Sequence, residues 1–287
     1  MKRLFALLAV FAILAGTSWA GKSITIKGSD TMVILGQRWA ENFMKTNKDA
    51  VIQVTGGGSG TGIAALINGS ADIAEASRPM KDKEKAQLKE KRGVDVVEIP
   101  TALDGLAVYV HEKNSIPQLT LGQLKLIFQR DVTNWKELGG ADAEIVLYSR
   151  ENNSGTYVYF KEHVLKEEDF SPYCQTLPGT AAIINAVSKD PNSIGYGGIG
   201  YSSGVRVVPV ATDDSTTAQM PTEENVASGL YPLARYLYWY TAGEPSGEIK
   251  QLVDWVLGPD GQALISEVGY YPLPKKKDTP KSAEKPE

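Results

Sequence analysis

From Ile24 onward the chain alternates short β-branched runs with segments of helical spacing. Ile24-Thr25-Ile26-Lys27 leads into Gly28-Ser29-Asp30-Thr31, and behind that turn Leu35, Trp39 and Phe43 recur every four residues as one helix face. Val51-Ile52-Gln53-Val54-Thr55 feeds the glycine cluster Gly56 to Gly62, and Ile63-Ala64-Ala65-Leu66-Ile67 opens the next helical pattern. A third short strand, Ala71-Asp72-Ile73-Ala74-Glu75-Ala76, ends in Ser77-Arg78-Pro79 before a charged helix from Lys81 to Lys91. Such alternation predicts an α/β fold, a mostly parallel sheet covered by helices.

Further along, Val96-Val97-Glu98-Ile99-Pro100 and Leu106-Ala107-Val108-Tyr109-Val110 read as strands on either side of Thr101 to Gly105, together long enough to cross between two domains. Leu119 to Phe128 reads as a short capped helix and Val132 to Trp135 as a turn. Ile145 to Arg150 reads as a strand, and the helix after Asn153-Ser154-Gly155-Thr156 carries Tyr157, Phe160, Val164 and Leu165. Thr180 to Val187 continues as helix, Ile194 to Gly198 as a glycine-laced strand or turn, and Arg206 to Val210 as a strand. The apolar stretch Leu230 to Tyr240 is the return crossing. The helix after it, with Ile249, Leu252, Val253 and Val256 on one face, packs back on the first domain.

Three of these units share one design: a strand, a small hydroxyl-bearing turn, then a helix. They are Gly28-Ser29-Asp30-Thr31, Gly57-Gly58-Ser59-Gly60-Thr61-Gly62, and Arg150 with Ser154-Gly155-Thr156. Glycine lets the backbone turn with positive φ and lets a ligand approach main-chain N–H groups, and a helix start presents unpaired N–H groups with the positive end of its dipole. Ligands of open α/β sheets bind beyond the carboxyl ends of the strands, where all these turns lie. Arg150 adds a permanent charge with a planar fork suited to two oxygens of a tetrahedral anion. Each motif alone also fits a plain loop or a helix cap; their repetition favours one oxyanion pocket.

Residues 1–20 change the setting. Lys2 and Arg3 precede an uncharged apolar run from Leu4 to Ala15 and a small-x-small site, Ser18-Trp19-Ala20, which is the pattern of a cleaved secretory signal. The run is short for a membrane span, and no cysteine near the cleavage site offers a lipid anchor. The exported chain is of periplasmic type and long enough for two domains. Removing Lys2 and Arg3 leaves 28 basic against 34 acidic residues, a net charge of −6, which is a poor match for nucleic acid. The only cysteine, Cys174, has no His or Cys neighbour and reads as a buried thiol. Lys275 to Glu287 is a solvated tail of disordered composition.

Catalytic signals are thin. Ile63 stands where a phosphate-loop NTPase needs Lys, and Gly60-Thr61-Gly62-Ile63-Ala64-Ala65 fits only a weak variant of the dinucleotide fingerprint, at odds with export. His111 and His163, the only histidines, have no Ser, Cys or metal-ligand partner nearby, so no catalytic residue, cofactor or metal is assigned.

The chain resembles the periplasmic phosphate-binding proteins, the substrate-binding components of phosphate ABC transporters. The likeness rests on Gly28-Ser29-Asp30-Thr31, Gly57 to Gly62, Ala71-Asp72-Ile73 through Ser77-Arg78-Pro79, Arg150 with Ser154-Gly155-Thr156, and Tyr231-Pro232-Leu233-Ala234-Arg235, in that order across the mature chain. The resemblance implies a two-lobed binding protein of type II that closes on inorganic phosphate, acts as a monomer and delivers its cargo to ABC permease subunits. Lobe I would take residues 21–100 plus 230–274, lobe II residues 101–229, and the tail 275–287. Ser29, Thr31, Ser59, Ser77, Arg150, Ser154, Gly155 and Thr156 would be phosphate ligands. Some members carry an aspartate after the third strand to accept the phosphate proton. Here Ser77 stands there, so Asp30 is the nearest replacement, unless it only caps the helix behind it; Asp72 reads as structural. Sulfate, molybdate or tungstate binding, or a secreted phosphatase-like or phosphoryl-transfer enzyme on the same scaffold, are the alternatives.

Overall fold

The computed structural model describes residues 23–274, so the signal segment and the tail from Lys275 lie outside the described residues. The first units form as their patterns predict: β1 (Ile24–Gly28), α1 (Val33–Thr46), β2 (Ile52–Thr55), α2 (Ser59–Asn68), β3 (Ile73–Ala76), α3 (Asp82–Arg92) and β4 (Val96–Val110). There follow β5 (Leu119–Thr120), α4 (Leu121–Gln129), β6 (Val146–Arg150), α5 (Gly155–His163), β7 (Gln175–Leu177), α6 (Gly179–Val187), β8 (Ser193–Gly198), β9 (Arg206–Val208), β10 (Val210–Ala211) and α7 (Glu223–Ala227). The chain then runs through β11 (Ala234–Ala242), α8 (Gly247–Leu257) and α9 (Pro259–Glu267). Where the sequence suggests one helix after the return strand there are two, broken at Gly258 ahead of Pro259, which opens α9.

The main strands hydrogen-bond in the order β2-β1-β3-β11-β4-β8-β6-β7, with β9 also on β4. Pairing is parallel at both ends, β1 with β2 and β3, and β6 with β7 and β8. The middle is antiparallel, because β4 and β11 run against each other and against β8 and β3. The sheet is therefore mixed, and the parallel character sits where strand and helix alternate.

Thr101 to Gly105 is not a link between two strands, since β4 is one strand of 15 residues. Pro100 lacks an amide for the ladder, and the register with β11 slips beside it, between Leu237 and Tyr238. Thr101 Oγ1 donates to the Leu237 carbonyl at 3.0 Å and keeps the irregularity paired. Buried side chains gather into two large clusters that these two strands join. Trp39, Phe43, Ile73, Ile99, Leu237 and Trp239 belong to one, and Leu106, Val108, Phe128, Phe160, Tyr196 and Leu233 to the other. In the first, Trp39 packs edge-on to Trp239 with ring centroids 5.3 Å apart and donates its indole N–H to the Gly261 carbonyl.

Candidate anion site

The carboxyl ends of β1, β3 and β6 and the start of α2 meet at one buried cluster of hydroxyls. Ser29 follows β1, and its Oγ donates to Ser77 Oγ, just past β3, at 3.0 Å. Ser59 opens α2, and its Oγ accepts the Ser77 amide at 3.1 Å. Across from them, Thr31 Oγ1 lies 2.9 Å from Thr156 Oγ1, in the first turn of α5. Ser154 caps α5 by accepting the Thr156 and Tyr157 amides. Ser29, Thr31, Ser59, Ser77, Ser154 and Thr156 are all buried. A hydroxyl that accepts an N–H keeps its own proton free to donate, so Ser59 and Ser154 are preset as donors, as an oxyanion requires.

Gly155 packs against this cluster. A methyl group built on it would overlap Ser59 Oγ and come within 2.7 Å of Ser77 Oγ. The other glycines of the site have a different reason from the one their sequence suggests. A methyl on Gly58, where φ is 91°, would come within 2.7 Å of the Asn153 carbonyl, and one on Gly62 would overlap the Lys27 carbonyl. Gly60 donates its amide to that Asn153 carbonyl at 2.9 Å. Asn153 also donates through Nδ2 to the Gly57 carbonyl at 2.9 Å and to Thr61 Oγ1 at 3.1 Å. Much of the glycine loop is shaped to admit a neighbouring loop of the protein.

Arg150, the last residue of β6, is 1% exposed. One terminal nitrogen donates to Thr180 Oγ1 at 2.8 Å and the other to Asp30 Oδ2 at 2.9 Å, while its buried Nε has no protein partner. Burial lowers the guanidinium from its usual range, and the Asp30 carboxylate works against that shift. Asp30 does not cap α1: the N-cap there is Met32, with no side-chain hydrogen bond. Its second oxygen accepts the Gly57 amide at 2.8 Å, so Asp30 ties Arg150 to the glycine loop. Asp72 precedes β3 instead of lying within it, and accepts the Thr25 amide at 2.9 Å, a structural contact.

Sequence patterns passed over several participants. Arg235 reaches Thr156 Oγ1 at 3.1 Å and is ion-paired to Asp104 at 2.7 Å, both hidden from solvent. Burial pushes the Asp104 carboxyl upward, against the pull of Arg235 and of the Ile199 amide. Opposite charges at Asp104 and Arg235 inside the two long apolar stretches were the available signal. Thr180, Asn153 and Tyr201, whose hydroxyl donates to the Asp30 carbonyl at 2.8 Å, carry no motif of their own. Among the described residues no group of His, Cys, Asp and Glu is arranged to hold a metal ion, and no helix is long and apolar enough to cross a membrane.

An α/β fold with hydroxyls, helix starts and a buried guanidinium converging at strand ends defines a binding protein for a small oxyanion. The model of the PBP superfamily domain matches residues 15–260. The phosphate-binding protein PstS of Pseudomonas aeruginosa is 36% identical over 266 residues, covering 87% of this chain and 82% of that protein. PstS of Bacillus subtilis is 32% identical and covers 92% and 85%. A candidate phosphate ABC transporter substrate-binding protein from Clostridium perfringens, solved with bound phosphate, superposes with a TM-score of 0.80 at 32% identity, over 88% of this chain and all of that one. The chain belongs to the PBP superfamily and, within it, to the phosphate-binding substrate-binding proteins of phosphate ABC transporters.

Proposed function

We propose that this chain captures inorganic phosphate in the hydroxyl cluster and delivers it to an ABC-type permease. The carrying observation is the buried Arg150 Nε without a protein partner, in a protein whose strand ends also gather buried hydroxyls, two of which, on Ser59 and Ser154, have protons free to donate. Ser29, Thr31, Ser59, Ser77, Ser154 and Thr156, with the backbone at Gly155, would surround the anion and Arg150 would supply the charge. Asp30, beside Arg150, would accept the proton that phosphate keeps at neutral pH and sulfate lacks.

The work is binding, with no covalent step. Neither histidine is set up for proton transfer in this cluster: His163 is bonded to the Tyr159 carbonyl and stacked on that ring, and His111 Nδ1 accepts the Lys113 amide. A monomer of two lobes, divided near residues 100 and 230, exported with a cleaved signal and without a lipid anchor, completes the reading. Titration calorimetry with phosphate, sulfate and molybdate tests it: phosphate should bind with the highest affinity, and an equal or tighter response to either other anion would replace it as cargo.

A further inference from the structure

Resting on the phosphate-binding reading, we infer that Arg235 is a positioning residue for the anion, which presets the Thr156 hydroxyl as a proton donor and fixes the turn that carries Ser77. Arg235 lies on β11 directly opposite Asp104 on β4, the two strands shared by both hydrophobic clusters. Its Nε donates to Asp104 Oδ2 at 2.8 Å, and Asp104 Oδ1 accepts the Ile199 amide at 3.0 Å, so the guanidinium plane is held at its base. The two terminal nitrogens then diverge: Nη1 donates to the Ser77 carbonyl at 3.0 Å, and Nη2, itself 2.7 Å from Asp104 Oδ2, reaches Thr156 Oγ1 at 3.1 Å.

A guanidinium only donates. The Thr156 oxygen must therefore accept from Arg235, which leaves its single proton for another acceptor, with Thr31 Oγ1 within reach at 2.9 Å. A hydroxyl free to rotate would lose part of its binding energy to reorientation, whereas this one is set in advance for an acceptor. Every nitrogen of the Arg235 guanidinium already has a protein partner, so its contribution is geometric, whereas Arg150 keeps Nε unpartnered. Lysine could keep the ion pair with Asp104, but a single ammonium cannot span both the Ser77 carbonyl and Thr156.

A double-mutant cycle decides the matter. Arg235→Lys, Thr156→Val and the double variant are titrated with phosphate by calorimetry beside the parent protein, and the ligand-free melting temperature of each is recorded. Arg235→Lys should weaken phosphate about tenfold or more in the parent background and by at least about threefold less once Thr156 is Val, the loss that remains being the share carried by the Ser77 turn. A staple that merely joins β4 to β11 would lower the melting temperature and leave the loss of affinity equal in both backgrounds, which overturns the inference. Should Arg235→Lys not fold by circular dichroism, Asp104→Asn takes its place in the cycle, since it loosens the base of the guanidinium and keeps the fork; the same two outcomes then decide. A parent protein that binds no phosphate overturns the functional reading itself, whereas a parent that binds with an additive cycle overturns only the role of Arg235.

Discussion

Asp30 and Arg150 meet at 2.9 Å, joining the turn after β1 to the end of β6, with the guanidinium almost fully buried and the carboxylate one-fifth exposed. Each partner has a second tie, Asp30 to the Gly57 amide and Arg150 to Thr180, so the pair braces three loops at once. A charge held this way is oriented before the anion arrives, and only Nε is left without a protein partner.

Arg150→Ala should therefore cost far more than one surface charge. Truncating one member of a buried, hydrogen-bonded charge pair costs about 2–5 kcal/mol, or roughly 30- to 5000-fold in phosphate affinity. Calorimetry reads this directly, and a loss below about threefold would remove Arg150 from the ligand set.

Asp30→Asn separates proton acceptance from bracing. If Asp30 accepts the phosphate proton, phosphate should weaken while sulfate binding emerges, so the preference between the anions narrows. A loss of phosphate affinity with sulfate still rejected would leave Asp30 with its bracing role alone. Parallel titration with both anions distinguishes the two.

Gly155→Ala tests the closeness of α5 to the cluster. Alanine is the better helix former, but its methyl meets Ser59 Oγ in the ligand-free protein too, so the ligand-free melting temperature should fall. The added methyl would overlap Ser59 Oγ, and overpacking of about 1–3 kcal/mol predicts phosphate binding weaker by roughly 5- to 150-fold. Unchanged affinity would mean that the cluster relaxes around the methyl.

The strand-turn-helix units were legible because each is local: β-branched residues, then glycine and hydroxyls, then a spacing near four. The residues of those units, from Ser29 to Thr156, also converge in the structure: β1 and β3 run opposite to β6 across the antiparallel middle of the sheet, so the carboxyl ends of the two parallel halves face each other. Long-range relations were not legible. Thr101 to Gly105 contains a glycine and follows a proline, which locally argues for a break. Pairing with β11 carries the strand straight through, with the Asp104 charge matched by Arg235. The glycine loop was misread in part for the same reason. Its amides and carbonyls are met by Asp30 and Asn153, and nothing in the loop's own sequence names them.

Asn153 links the loop after β6 to the glycine loop through both its backbone and its side chain, so in a protein that closes over its anion it would serve as a latch. Asn153→Ala deletes two side-chain hydrogen bonds of about 1 kcal/mol each, so phosphate should dissociate roughly tenfold faster or more in stopped-flow measurements. Small-angle scattering should show the radius of gyration falling when phosphate is added to the parent protein, and Asn153→Ala should need more phosphate for the same change. Identical profiles with and without phosphate would argue against a closing motion.

Glu75 sets the pH dependence of stability. It lies on β3, two residues before Ser77, with no solvent exposure; Oε1 accepts the Trp239 indole N–H at 3.0 Å and Oε2 has no partner. Burial pushes its carboxyl from 4.5 up to about 8, only partly opposed by the indole hydrogen bond. Between those two values the folded protein holds a proton that the unfolded chain has released. Its contribution to stability is thus fully present below pH 4.5 and is lost as pH rises toward 8, at up to about 1.4 kcal/mol per pH unit. Glu75→Gln keeps the shape and an acceptor for Trp239 but cannot ionise. Urea unfolding of the phosphate-free proteins at pH 5, 6.5 and 8 should show the parent losing stability relative to Glu75→Gln as pH rises, with the variant ahead at pH 8. Phosphate affinity at pH 6 should be alike in the two, because the carboxyl faces Trp239 and Gly36 and makes no bond to the hydroxyl cluster. Stability curves that run parallel with pH would mean that Glu75 is ionised in the folded protein and that its burial is compensated by another group.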